Sequence, residues 1–156
     1  MAWPSNFVDS ATVEIEPEAI LPAVDFALLA DSVQAVGGKL YVLGGGWDTL
    51  FVSGFPARHH SMAIGLRVRV PWSSPSTQIR VGVDLVDADG RRLLPNDVSH
   101  VVNVGRRDSM DRPDLGILRS FTFNNLTFES AGDYSFVITL DHEVVDRLRF
   151  TVRKRR

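Results

Sequence analysis

From Val24 onward the apolar residues of this chain recur at every second position. In the stretch SMAIGLRVRV, Met62, Ile64, Leu66, Val68 and Val70 share one face, and Arg67 and Arg69 lie on the other. In QIRVGVDLVD the shared face is Ile79, Val81, Val83 and Leu85, opposite Arg80, Gly82 and Asp84. In DYSFVITLD it is Tyr134, Phe136, Ile138 and Leu140, and in RLRFTV it is Leu148, Phe150 and Val152. A period of two puts alternate side chains on opposite sides of an extended backbone, so each run reads as a strand with one buried and one wet face. A helix needs a period of 3.6, and no long segment offers one. The best helical candidate is Ala30–Gly38, good for about one turn.

The connections fit short strands. Asp87–Gly90 reads as a tight hairpin turn, and Asp141–Glu143 as the link between the last two strands. Pro71–Ser76 is a proline and serine loop, and Glu129–Asp133 another turn. Gly105–Gly116 is the longest polar stretch, a loop between strands near 98–104 and 117–123. Seven to nine such strands close most simply as an antiparallel β-sandwich, immunoglobulin-like or C2-like, over residues 23–156 as one all-β domain with a basic tail. Residues 1–22 differ: Pro4, Pro17 and Pro22 punctuate them, and Glu14 and Glu16 alternate with Val13 and Ile15. They read as an extended N-terminal arm, with Thr12–Glu16 a possible edge strand added in cis or in trans.

The glycine-rich stretch Gly37–Phe51 invites a phosphate-binding reading. The dinucleotide fingerprint G-x-G-x-x-G starts at Gly44 and Gly46, but Thr49 stands at its third site, and WDTLFVSGF continues as a strand instead of a helix. The P-loop fails too, because Leu40 follows Gly38-Lys39. The remaining role is structural: glycines inside a strand pattern mark a bulge, a bend or a close backbone approach. A bend at Gly44–Gly46 either turns the chain back as a hairpin or lets it cross from one sheet to the other.

The formal net charge is −2, so no global field draws the chain to nucleic acid or an anionic membrane, and neither partner is expected. The one strong charge run is RKRR, Arg153–Arg156. The absence of cysteine excludes disulfides, thiolate metal sites and thiol nucleophiles. The start lacks the basic and apolar regions of a secretory leader, and no window reaches the length of a membrane span; the expected location is the cytoplasm.

Catalytic chemistry finds no anchor. His59 and His60 are adjacent and point to opposite faces of a strand; His100 and His142 are isolated. Asp84, Asp87 and Asp89 do not fit an EF-hand loop, because Arg91 takes a ligand position and no glutamate closes the span. Aspartates in turns more often bond their own backbone. There is no G-x-S-x-G nucleophile elbow. Asp108 and Asp111 sit among Arg106, Arg107 and Arg112, where ion pairing accounts for them as well as acid–base work does. No catalytic residue, cofactor or metal is expected, and the chain reads as a non-enzyme. Among the aromatics, Trp47 and Phe51 are expected in the core, and Trp72, in the Pro71–Ser76 loop, on the surface.

One further pattern is specific. Asp31 and Val33 precede a Gly37-Gly38-Lys39 turn; a strand with a glycine bend at Gly45 follows, then Trp47-Asp48, then Phe55-Pro56. The chain closes through Gly132, Tyr134, Phe136, Asp141 and Glu143. This pattern, over about residues 24–152, resembles a family of small bacterial β-sandwich proteins of unknown function. The resemblance implies the fold and carries no active site; Gly46, a third consecutive glycine, departs from it. The functional expectation is a bacterial interaction or assembly module that binds a protein partner or a second copy. Its surface would be a loop end carrying Trp72, Arg106, Arg107, Asp108 and Arg112, or a sheet edge joined by Val13 and Ile15 of the arm. The alternatives are a sandwich that binds a glycan or calcium at a loop end, and a small hydrolase.

Overall fold

The computed structural model describes residues 21–105 and 113–156. The strands are β1 Ala23–Val36, β2 Lys39–Gly45, β3 Thr49–Val52, β4 Ala57–Val70, β5 Gln78–Asp87, β6 Val98–Asn103, β7 Leu115–Phe128, β8 Gly132–Leu140 and β9 Glu143–Lys154. They form two sheets: β2-β1-β4-β7, with four strands, and β3-β9-β8-β5-β6, with five. The two sheets pack face to face as a β-sandwich.

The alternating runs build the core as their period demands. Met62, Ile64, Leu66, Val68 and Val70 of β4 meet Ile79, Val81, Val83 and Leu85 of β5, Phe136 and Ile138 of β8, and Phe150 and Val152 of β9 in one cluster. Phe123, Phe136 and Phe150 stack through its centre, Phe136 lying 5.0 Å from Phe123 and 5.6 Å from Phe150. At the β7–β8 corner the Tyr134 hydroxyl donates to the Ser130 carbonyl at 2.7 Å, tying the strand start to the turn before it.

Three sequence readings change. Ala30–Gly38 is not helical: Ala30–Val36 is the second half of β1, paired with β2, and Gly37-Gly38 form the turn between them. An apolar, alternating partner strand outweighs the modest helix propensity of a short segment. β4 does not keep one face wet throughout. Met62–Leu66 are buried on both sides, because Ala30 and Val33, flanked by Leu28 and Leu40, form a second small cluster with Ala63 on the outer face. Gly65 makes that approach possible: a Cβ there would stand 2.8 Å from Val33 Cγ1 and 3.3 Å from Leu40 Cδ1. And one strand pair, β3 with β9, is parallel.

The glycine triplet explains the parallel pair. β2 ends at Gly45, and the Gly46 N–H donates to the Leu29 carbonyl at 2.8 Å in the first sheet. Two residues on, the Asp48 carbonyl accepts from the Thr151 N–H at 2.8 Å in the second. The chain therefore crosses between sheets here, and of the two roles open to the glycines it takes the crossing. Gly44, at φ +62°, adopts the left-handed conformation that favours glycine and lies against the Asp31 carboxylate.

Candidate interaction surface

Of the residues expected at a functional surface, the structure describes Trp72. Arg106, Arg107, Asp108, Arg112, Val13 and Ile15 lie outside the described residues. Trp72 is 45% exposed. It sits beyond the end of β4, and its N–H donates to Asp114 Oδ1 at 3.2 Å. Asp114, near the end of the long polar loop, also accepts from Arg69 at 3.3 Å. Arg69 reaches Asp25 at 3.1 Å, and Arg67 pairs with Asp25 as well. The Trp72 loop and the described end of the polar loop therefore meet at Asp114. Its hydrogen bonds to Asp25 and then to Asp114 raise the Arg69 guanidinium above its already high ordinary value, so it stays charged at any physiological pH.

The aromatics do not form one patch. Trp47 and Phe55 pack on the core, Trp47 edge-on to Phe150 at 6.1 Å. Phe51 was expected beside them and is instead 54% exposed. β3 continues the alternation: Leu50 and Val52 face the core, so Phe51 between them faces solvent beside Arg153.

An exposed apolar surface on β2 was not anticipated. Tyr41, Val42 and Leu43 of β2 are exposed at 58%, 42% and 73%, and Val36 across the turn is exposed too. Among the described residues β2 is an edge strand, with β1 on one side and no strand on the other. Tyr41 opposes Gln34 and Leu43 opposes Ser32 on the hairpin's solvent face. The sequence carried a signal for this: Leu40–Leu43 is a consecutive apolar run between Lys39 and Gly44, without the charged alternation of the other strands.

The polar groups have local roles. Asp87 Oδ1 accepts from the Asp89 and Arg91 N–H groups at 2.9 Å, closing its own turn. Asp84 and Asp97 hold Arg92, whose guanidinium is raised first by the bond to Asp97 and then by that to Asp84. Among the described residues no group of three or more His, Asp or Glu side chains is arranged to hold a metal ion. His100 stacks on Phe121 at 4.5 Å, His59 is half-buried in β4, and His142 lies in the β8–β9 turn. A cleft of about 620 Å³ opens at one end of the sandwich between Arg92, Leu94, Phe123, Asn125 and Tyr134. No helix among the described residues is long and apolar enough to cross a membrane.

Several solved structures are similar to this chain at low identity. An immunoglobulin-like protein of Pseudomonas aeruginosa is 12% identical, with 85% of this chain and 97% of that chain covered and a TM-score of 0.34. The alkylpurine DNA glycosylase AlkC of Pseudomonas fluorescens, bound to DNA containing an abasic site analog, is 11% identical, with a TM-score of 0.37; the match covers 68% of this chain and 27% of the glycosylase. A putative beta-galactosidase from Bacteroides fragilis is 10% identical, with a TM-score of 0.32, and the match covers 61% of this chain and 15% of that one. This chain thus spans only a small part of those two enzymes. No curated protein matches. The sandwich therefore rests on the chain's own strand order, and the model of a family of unknown function, DUF6941, matches residues 25–153, so the chain belongs to that family.

Proposed function

We propose that this protein is a non-catalytic interaction module that recruits a protein partner, or a second copy of itself, by pairing a strand with the free edge of β2. The observation that carries this is the exposure of Tyr41, Val42 and Leu43 together on an edge strand. An open edge offers a row of backbone donors and acceptors, and alternate side chains supply selectivity. Native edges are usually blunted by charge, proline or a bulge. β2 has Lys39 at its first position and no other charged residue, no proline, and an uninterrupted register from Val36↔Lys39 to Ser32↔Leu43.

The test compares wild type with Leu43→Lys and Val42→Pro. Light scattering of each protein alone reads self-association, and affinity capture from native lysate, identified by mass spectrometry, reads partners. The expected result is an assembly or a partner that wild type forms and both variants lose. Identical captured sets and identical masses across all three proteins would overturn the proposal.

A further inference from the structure

The hydrogen-bonding pattern at the free edge of β2 is fixed by its own hairpin. Gly37 and Gly38 both have positive φ, +58° and +73°, and form the two-residue turn that joins β1 to β2. Such a turn closes on a pair joined by backbone hydrogen bonds, here Val36↔Lys39. Bonded and non-bonded pairs then alternate along the ladder. Gln34↔Tyr41 and Ser32↔Leu43 are bonded pairs, so Tyr41 and Leu43 direct their N–H and C=O groups to β1. Leu40 and Val42 alternate with them and turn theirs outward, where among the described residues no strand meets them.

With β2 as the docking edge proposed for this protein, we infer that its occupant is a second copy of the same chain, paired antiparallel about a two-fold axis through Val42. In that register Val42 of each copy exchanges both backbone bonds with Val42 of the other, and Tyr41 stands directly opposite Leu43. Tyr41 and Leu43 lie on the solvent face of the hairpin at 58% and 73% exposure, and the two-fold makes this contact twice, once on each side of the axis. Side-chain pairs directly opposed across strands are the unit from which a sheet gains stability.

Charge places the axis. Lys39 is the only charged residue of β2; it is exposed and forms no ion pair among the described residues. An axis on Tyr41 would set it against the apolar Leu43. The axis on Val42 sets it opposite Gly45 of the second copy, one residue from Gly44, against which the Asp31 carboxylate lies. Asp31 is likewise exposed and without an ion pair among the described residues. Lys39 and Asp31 of the second copy then stand two strand spacings apart, about 10 Å between backbones. One extended lysine and one aspartate side chain span that gap.

The contact is small. Tyr41, Val42 and Leu43 of both copies cover on the order of 600 Å², and a lasting interface needs about 1,000 Å² or more. The dimer is therefore reversible and depends on concentration.

The chain has no cysteine, so single cysteine variants report the axis cleanly. Oxidative cross-linking is measured on Val42→Cys, Tyr41→Cys, Leu43→Cys and, as a control on the other sheet, Phe51→Cys. Val42→Cys sets its two copies at the about 5.5 Å Cα separation of a bonded pair, inside the range a disulfide spans. It is expected to cross-link at least tenfold faster than any other single variant. Tyr41→Cys mixed with Leu43→Cys is expected to cross-link faster than either alone. In light scattering, the wild-type mass is expected to rise toward two copies with concentration, and Lys39→Glu to weaken that association several-fold. Fastest cross-linking at Tyr41→Cys, or no effect of Lys39→Glu, overturns the axis on Val42. A wild type that stays monomeric at every concentration overturns the second copy as occupant. The docking edge is read separately, by capture from lysate. A partner held by monomeric wild type and lost in Leu43→Lys overturns the second copy and keeps the β2 edge. A dimer that cross-links fastest through Phe51→Cys, with capture unchanged in Leu43→Lys, overturns both.

Discussion

β4 and β2 belong to the same four-stranded sheet and stand at opposite extremes of it. Met62–Leu66 of β4 are buried without exception, inner face against the second sheet and outer face under the β1–β2 hairpin. β2, one strand further out across β1, is exposed at every residue except Leu40. The two strands are similarly apolar, so hydrophobic content does not separate them. Position does. A central strand can be covered on both faces, and an edge strand that folds over its own sheet can cover a neighbour only by leaving its own back uncovered. The hairpin seals β4 with Val33 and Leu40 and in doing so turns Tyr41 and Leu43 to solvent.

The largest expected effect comes from the covered side of this comparison. Phe136 is fully buried and stacks with Phe123 and Phe150. Phe136→Ala removes a large side chain from between two others that are held by their own strands, so the cavity collapses little. The expected cost is about 3–5 kcal/mol, read from urea unfolding with an unchanged slope. A cost below ~1 kcal/mol would mean that the core is far less tightly packed than the burial of β4 implies.

The seam between the two strands comes next. Gly65→Ala places a Cβ against Val33 Cγ1, and neither strand can move without disturbing a paired neighbour. Overpacking of this kind costs about 1–3 kcal/mol. Val33→Ala opens the space, so the double variant should lose less than the sum of the two single losses. Additive losses would show that the hairpin does not bear on β4 at this point.

The same comparison explains what could be read from the residues alone. The strands of the core were legible because Met62–Val70, Ile79–Leu85, Tyr134–Leu140 and Leu148–Val152 alternate strictly, and a period of two has one structural meaning when a face must be buried. The turn at Asp87–Gly90 and the link at Asp141–Glu143 were legible from their turn residues. The second covering of Ala63 and Gly65 was not, because it depends on β1 leaving β4 after Ala30 to pair with β2, a choice of partner that no local pattern encodes. Phe51 was misplaced for a related reason. Its aromatic character suggested the core, while the side it faces is fixed by the register of β3 on β9, just past the crossing at Gly46–Asp48. The surface was only partly legible. The exposure of Trp72 was read from its loop, but the apolar edge of β2 was not, because exposure is a property of strand order, which the chain does not announce locally.

The smallest expected effect on stability is at β2 itself, and it is the sharpest test of the contrast. Leu43 is 73% exposed and opposes Ser32 across the hairpin. A lysine there keeps its charge in water and its aliphatic stem on the strand. Leu43→Lys should change unfolding free energy by no more than about 0.5 kcal/mol, as for a surface position free of special contacts. The same substitution places a charge in the middle of the edge that a partner strand must approach, and like other edge charges it should block pairing. Stability and binding should therefore separate: unfolding unchanged, capture lost. If Leu43→Lys instead costs as much as Gly65→Ala, then Leu43 is held by a contact within the chain. In that case β2 is a covering strand on both faces, and the distinction between it and β4 disappears.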